Sequence, residues 1–329
     1  MGLGAAFGRQ LESGSTASRV PMPEGGSVMG NSRKWLGGVN TGRHPGRKGL
    51  LVLVVAAVLG FIVGAPSAGA ATRNYVALGD SYSADPGVSG LASGISPLCL
   101  QSSADYPHQV GAAKGFNTTD VSCSGATSSD MTSSQYWGVA PQFDALSSST
   151  NVVTVGIGGN DNNLFLGALV SCGITDIWDF LNIGSPCKAL FGNTFANAVS
   201  SDATTIGGVI QGIHAHAPNA TVFVTGYPDI LPQSGNCYPK MPLTTGDTSY
   251  LNGVEEDLNT MLSSEASANN ATFVDTFTPS IGHDACKSGS AQWVNAIIAT
   301  NGGISVHPTP NGVTETTTLI EAAMTAKGF

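Results

Sequence analysis

The sequence predicts an α/β protein, a three-layer α/β/α sandwich with a mostly parallel central sheet. Three observations carry that prediction. Short β-rich runs alternate with longer segments of helical period, as in a parallel sheet covered on both faces. The runs are near-continuous in apolar residues, the composition of strands that lose both faces to helices. Each run then exits into Gly, Asp, Asn or Pro, and in open parallel sheets ligands collect beyond the carboxyl ends of the strands.

The strands are expected at residues 74–78, 152–157, 221–225 and 272–275. Helices are expected at 106–114, 194–214, 248–266 and 312–327. In the second of these, Phe195, Val199, Ile206, Val209, Ile210 and Ile213 recur three or four residues apart, which puts them on one face. The last carries Val313, Leu319, Ile320, Ala323 and Met324 on a plausible inner face. The Ser/Thr/Asn/Gly-rich stretches 83–104 and 117–135 read as loops, and no internal repeat follows residue 70.

The N-terminal region differs from everything after it. Residues 1–48 are rich in Gly, Ser and basic side chains, and an apolar run of 15 residues, 49–63, follows Arg43, Arg47 and Lys48. The small-residue stretch 65–71 then completes the pattern of a secretory signal, with cleavage expected after Ala70. A spanning helix would want about 20 apolar residues, which disfavours an uncleaved anchor. The long basic leader also leaves Met29 as an alternative start. Domain 1–70 is therefore read as a signal peptide and 71–329 as one exported domain.

Without the leader the chain has 6 Lys/Arg against 20 Asp/Glu, a net charge of −14, with Arg73 as its single arginine. Such a surface offers no footprint for nucleic acid or for an anionic membrane. All six cysteines, Cys99, Cys123, Cys172, Cys187, Cys237 and Cys286, lie in the exported part, where an even count argues for disulfides. Nearest-neighbour pairing (Cys99–Cys123, Cys172–Cys187, Cys237–Cys286) is preferred among the connectivities six cysteines allow. C-x-x-C spacing is absent, which argues against zinc, so no metal or cofactor is expected. A monomer is expected.

Four short blocks carry the chemistry: Gly79-Asp80-Ser81-Tyr82-Ser83, Cys123-Ser124-Gly125-Ala126, Gly158-Gly159-Asn160-Asp161 and His307-Pro308. Each alone has a bland reading, since Gly, Asp, Asn and Ser are ordinary turn and cap residues. In this order, after an export signal, they resemble the GDSL, or SGNH, hydrolases, and more narrowly the secreted bacterial GDSL esterases and lipases. The resemblance spans roughly residues 72–329 and implies a flavodoxin-like SGNH fold and hydrolysis of a small-molecule or lipid ester. It implies Ser81 as nucleophile, at a strand-to-helix turn where a helix N-terminus favours developing negative charge. It implies His307 as general base, with the Gly125 N–H, the Asn160 side chain and the Ser81 N–H as oxyanion donors.

One position departs from the family's pattern. Members with a full triad carry Asp three residues before the histidine, where this sequence has Ile304. A Ser81–His307 dyad follows, with the Ile304 backbone carbonyl expected to fix the imidazole tautomer. Only His108 has an aspartate at that spacing, Asp105, and it precedes the Gly125 and Asn160 blocks, so the coincidence carries no catalytic weight. His283, near Cys286, is the rival base.

Other readings are weaker. Ser185-x-x-Lys188, Ser234-x-Asn236 and Lys287-Ser-Gly289 imitate a penicillin-recognising enzyme, but all flank cysteines in loops. Gly156-Ile157-Gly158-Gly159 lacks the last glycine of a dinucleotide loop. The missing acid also leaves open a secreted SGNH-like domain that binds glycan or lipid with a weak or dead site, or an acetylesterase on polysaccharide. An acyl groove would draw on Leu164-Phe165-Leu166, Trp178-Asp179-Phe180-Leu181, Leu190-Phe191 and Trp293, and residues 163–193 form the candidate lid or acyl wall.

Overall fold

The computed structural model describes residues 72–329 except Trp178 and Phe180, together with all side chains in that span other than those of Phe165 and Leu166. The leader expected over residues 1–70 lies outside the described residues. The chain order is β1 (Asn74–Gly79), α1 (Ser81–Ala84), α2 (Tyr106–Lys114), β2 (Asn117–Asp120), β3 (Val152–Gly156), α3 (Leu164–Asp176), α4 (Pro186–Phe191), α5 (Thr194–His216), β4 (Thr221–Thr225), α6 (Thr245–Ala268), β5 (Thr272–Val274), α7 (Phe277–Ser280) and α8 (Pro310–Ala326). The five strands form one sheet in the order β2-β1-β3-β4-β5, and every pair is parallel. That is the α/β/α sandwich the sequence predicts.

Alternation along each strand divides the core into two layers. Val76, Leu78, Val153, Val155, Val222 and Val224 face a layer that includes Ile206, Ile210 and Ile213 of α5 and Leu258 and Leu262 of α6. Tyr75, Ala77, Val152 and Phe223 face the other layer, against Tyr106 and Val110 of α2 and Val313, Ile320 and Met324 of α8. Burying each large apolar side chain contributes about 1.5–3 kcal/mol. The two tyrosine hydroxyls on this inner face are satisfied: Tyr75 Oη lies 2.7 Å from Thr154 Oγ1 and Tyr106 Oη 3.1 Å from Ser83 Oγ.

Three elements differ from the sequence reading. β2 falls in a stretch read as loop, because Asn117-Thr-Thr-Asp120 is polar; it is a short edge strand with an alternating exposed pattern and borrows its ladder from β1. Residues 163–193, the candidate lid or acyl wall for which the sequence predicts no secondary structure, hold two helices, α3 and α4. α1 is a single turn of four residues. The disulfides join Cys99–Cys123, Cys172–Cys187 and Cys237–Cys286, the nearest-neighbour set, and no described cysteine is free.

Candidate active site

The sheet order dictates where the polar blocks meet. β2, β1 and β3 are adjacent, so the segments that leave their carboxyl ends share one edge. Gly79 and Gly156 are register partners at the ends of β1 and β3, and Cys123 N–H donates to the Gly79 carbonyl at 3.0 Å. Gly125, Ser81 and Asn160 thereby reach the same cleft from three consecutive strands.

Gly79 and Gly156 must lack side chains for this. A Cβ on Gly79, which has φ of +147°, would meet Ser83 Oγ and the Gly156 carbonyl; one on Gly156 would meet Thr225 Oγ1. Gln142 clamps the exit further: its amide takes the Gly79 N–H at 2.7 Å and donates back to the Gly79 carbonyl at 2.9 Å. Sequence reasoning missed Gln142, because a glutamine between turns carries no local signal.

Asp80 is buried at the N-cap of α1. Its Oδ1 accepts from Tyr82 N–H at 2.8 Å and its Oδ2 from the Tyr227 hydroxyl at 2.5 Å. Tyr227 Oη in turn accepts from Gly159 N–H at 2.9 Å, joining the exits of β1, β3 and β4. Burial pushes the Asp80 carboxyl up to about 7, against the pull of these two donors. Asp80 is thus fully engaged in holding the turn.

His307 arrives from the far end of the chain. Its Nε2 lies 2.7 Å from Ser81 Oγ, and its Nδ1 lies 2.7 Å from the Ser305 carbonyl. A carbonyl only accepts, so Nδ1 carries the proton and Nε2 presents its lone pair to the serine. This corrects the expectation for Ile304. The Ile304 carbonyl takes the His307 backbone N–H at 3.3 Å instead, closing a turn that turns it away from the ring. Val306, at φ of +60°, flips the Ser305–Val306 peptide and aims the Ser305 carbonyl at the imidazole. Asp275 and Asp284 are occupied elsewhere, on Phe277, Thr278 and Cys286 amides.

Tyr82 is the second residue the sequence did not single out. Its ring stacks on His307, centroids 5.2 Å apart at 28°, and its hydroxyl donates to the Val306 carbonyl at 2.6 Å. Burial lowers the His307 pKa from its ordinary value, opposed by the Ser305 carbonyl. Burial thus favours the neutral imidazole.

Asn160 Nδ2 donates to the Ala126 carbonyl at 2.9 Å, and the amide carries a second N–H. The bond ties the Asn160 turn to the segment that follows Gly125. Asp161, next in sequence, takes the Ser128 N–H at 2.7 Å and reinforces the same seam. Gly125 has φ of +79°, where L side chains are strained. His283, the rival base, stacks on Trp293 with centroids 4.0 Å apart and faces the Ala291 carbonyl.

The cleft that these residues line has a volume of about 260 Å³. Leu169 of α3, Ile297 and Val306 supply its apolar wall. Of the expected lining, Leu164 belongs to a separate small cavity that shares only Leu169 with this cleft, and Trp293 lines a different depression beside Thr276 and Leu319. Leu190 is exposed. The side chains of Phe165, Leu166, Trp178 and Phe180 lie outside the described set.

With this geometry in hand, the chain matches the GDSL-like lipase/acylhydrolase family over residues 77–314. It belongs to that family. This GDSL hydrolase is 39% identical over 251 residues to Lipase 2 of Streptomyces coelicolor, covering 75% of this chain and 84% of the relative. The crystal structure of phospholipase A1 from Streptomyces albidoflavus NA297 matches with a TM-score of 0.63 at 30% identity, over 77% of this chain and 99% of that one. The extracellular lipase of Streptomyces rimosus gives a TM-score of 0.63 at 27% identity, over 77% and 100% of the two chains. The enzyme is a serine ester hydrolase of the bacterial GDSL/SGNH type. No helix among its described residues is long and apolar enough to cross a membrane.

Proposed function

We propose that this GDSL hydrolase is exported, loses residues 1–70, and cleaves acyl esters of lipids through a Ser81–His307 dyad. The observation that carries the reading is the 2.7 Å approach of His307 Nε2 to Ser81 Oγ on the wall of a largely apolar cleft. His307 Nε2 takes the hydroxyl proton as Ser81 Oγ attacks the ester carbonyl carbon. The carbonyl oxygen becomes an oxyanion, received by the N–H groups of Ser81 and Gly125 and the second N–H of Asn160. The bond to the alcohol oxygen breaks, and His307 returns the proton to the leaving alkoxide. Water then repeats the sequence on the acyl-enzyme, releasing the acid and restoring Ser81.

Because α1 is one turn, charge stabilisation rests on these directed N–H groups more than on an extended helix dipole. The Ser305 carbonyl takes the part an aspartate plays elsewhere: it holds the tautomer and hydrogen-bonds the imidazolium when it forms. It does so without a formal charge, so it stabilises the imidazolium less than a carboxylate would.

Leu169, Ile297 and Val306 favour an acyl chain longer than acetyl over an acetylated glycan. The similarity to a phospholipase A1 and to lipases makes glycerolipids the leading substrates. A panel of p-nitrophenyl esters graded by chain length, run beside phosphatidylcholine, triacylglycerol and acetylxylan, tests this. The expected result is a preference for medium or long acyl chains, abolished in Ser81→Ala. Activity confined to acetyl esters would replace the lipid reading, and activity surviving in Ser81→Ala would remove the dyad.

A further inference from the structure

The start of α2 gathers a second set of reactive side chains that the hydrolytic reading leaves unused. Asp105 is the N-cap of α2, His108 lies in its first turn, and Asp120 ends the neighbouring edge strand β2. Asp105 Oδ1 accepts from the His108 N–H at 2.9 Å and lies 2.6 Å from His108 Nδ1. Asp120 Oδ1 accepts from the Ser122 N–H at 2.9 Å, while its Oδ2 lies 3.7 Å from the same imidazole nitrogen.

This leaves the other oxygen of Asp105 and Oδ2 of Asp120. Both are buried and neither meets an N–H or hydroxyl donor, though the two carboxyls lie within hydrogen-bonding reach of each other. The Asp105 and Asp120 side chains are 0% and 1% exposed. Among the described residues, His108 is the one cationic group within ion-pair distance of either carboxylate. A third buried acid, Asp85, lies nearby, its Oδ2 accepting from the Tyr106 N–H and its carboxyl pushed toward the neutral form by burial. Two buried carboxylates with unsatisfied oxygens are costly to keep unless a positive charge meets them.

One ligand atom from each of Asp105, His108 and Asp120 lies within 4.8 Å of the other two. Zinc bonds imidazole nitrogen and carboxylate oxygen at about 2.0–2.2 Å, which sets tetrahedral ligand atoms about 3.3 Å apart. Small side-chain rotations bring this set there, opening the Asp105–His108 contact and closing the one to Asp120. The helix cap and the strand ladder to β1 fix the two aspartates, and the His108 side chain, 40% exposed, leaves an open side for entry and for water ligands. An imidazole beside two carboxylates suits zinc or a similar divalent transition ion, whereas calcium and magnesium prefer all-oxygen shells. The absence of C-x-x-C spacing excludes only the thiolate kind of zinc site.

We propose that Asp105, His108 and Asp120 bind one divalent transition-metal ion, zinc in the first instance, as a clip between the start of α2 and the edge of the sheet. None of the three lines the cleft that holds Ser81. The ion therefore acts on stability, and hydrolysis proceeds without it.

The test uses the full exported protein stripped with a chelator and titrated with zinc chloride at pH 7.5, read by calorimetry and by thermal melting. One equivalent should bind at micromolar Kd or tighter, with a Tm rise of several degrees. His108→Gln, at a partly exposed position, and Asp120→Asn should each weaken that equivalent at least tenfold and lose the Tm response. Esterase activity of the stripped wild type should stay within twofold of the loaded protein. A wild type that binds no equivalent overturns the proposal, and so does zinc binding that persists in His108→Gln, which would belong to other histidines. A metal-independent rise in Tm for Asp120→Asn, with no zinc response in the wild type, would replace the ion by a proton shared between the two carboxyls.

Discussion

Ser81 and His307 meet across 2.7 Å, but the two sides of that contact are built differently. Ser81 follows a buried strand, with Asp80, Gln142 and Tyr227 fastening the turn to three strand exits at once. His307 ends a stretch of irregular backbone with positive φ at Gly302, Gly303 and Val306. That stretch lies outside the sheet and is pinned by bonds to the Asn295–Ala296 segment, to Gly87 and to Tyr82. Asn295, fully buried, donates to the Gly302 carbonyl and accepts from the Thr300 and Asn301 amides; its N–H reaches the His307 carbonyl at 2.9 Å. A β-branched residue at Val306 in the left-handed region costs on the order of 1–3 kcal/mol. Ser81 is placed by the fold, and His307 by a loop that stores strain to aim one carbonyl.

If both sides act on one proton transfer, they must fail together. Ser81→Ala and His307→Ala should each lower kcat by roughly 10⁴–10⁶-fold, and the double variant should be no worse than either single one. Steady-state kinetics on a p-nitrophenyl ester measures this. Additive losses would mean that the loop and the turn work independently, and would break the comparison.

Asn160 belongs to the sheet side. Its N–H bond to the Ala126 carbonyl fixes the amide, and the proposed oxyanion role falls to its second N–H. Asn160→Ala should therefore cost about 10²–10³-fold in kcat, or about 2.7–4 kcal/mol, with KM little changed. A change confined to KM would assign Asn160 to substrate binding.

The two sides also titrate in opposite senses. His307 must be neutral to act, and burial lowers its pKa, so kcat/KM should fall about tenfold per pH unit on an acid limb that begins below 6.5. Buried carboxyls behave the other way. Burial raises Asp80, Asp176 and Asp202 to about 7 and Asp229 to about 6. Between about pH 4 and 7 the folded chain then holds protons on these groups that the unfolded chain has released, so folding stability falls as pH rises through that window. Tm should be at least about 3 °C higher at pH 5 than at pH 8, while activity is lower at pH 5. A Tm that climbs with pH instead would mean these carboxyls are ionised in the fold.

The same contrast explains what could be read from the chain alone. The sheet, its parallel sense and the strand exits were legible, because apolar runs and Gly-Asp-Ser or Gly-Asn-Asp punctuation are local signals. β2 was not, since Asn117-Thr-Thr-Asp120 is polar and its pairing is supplied by β1. Nor was the Ser305 carbonyl, because main-chain oxygens are the same in every residue. Counting back three positions from His307 lands on Ile304, and only the backbone twist at Val306 moves the acceptor to Ser305. Gln142 and Tyr82 stayed hidden for a related reason: their partners lie 63 and 224 residues away. The order of the blocks pointed to Ser81, Gly125, Asn160 and His307, and only the fold shows that three strand exits and one loop share a cleft.

Tyr82 spans the two sides and gives the finest test. Its backbone is bonded to Asp80 on the sheet side, its ring lies on His307, and its hydroxyl holds the Val306 carbonyl next to the peptide that aims Ser305. Tyr82→Phe keeps the ring and removes one hydrogen bond, worth about 1 kcal/mol, so kcat should fall about fivefold with KM unchanged. Phosphonylation of Ser81 by a p-nitrophenyl phosphonate, with release of p-nitrophenolate, should slow by the same factor, because the loosened loop spends less time with Nε2 on Ser81. Ile304→Asp is the control on the loop side. Ile304 is 38% exposed and the Ser305 carbonyl already occupies Nδ1, so a carboxylate there should change kcat by less than about threefold and leave the acid limb in place. A large gain in kcat with an upward shift of that limb would show the new carboxylate displacing the carbonyl, and the loop would then be far less rigid than its bonds imply. A Tyr82→Phe enzyme with wild-type kcat would instead show that the strain at Val306 holds without help from the sheet side.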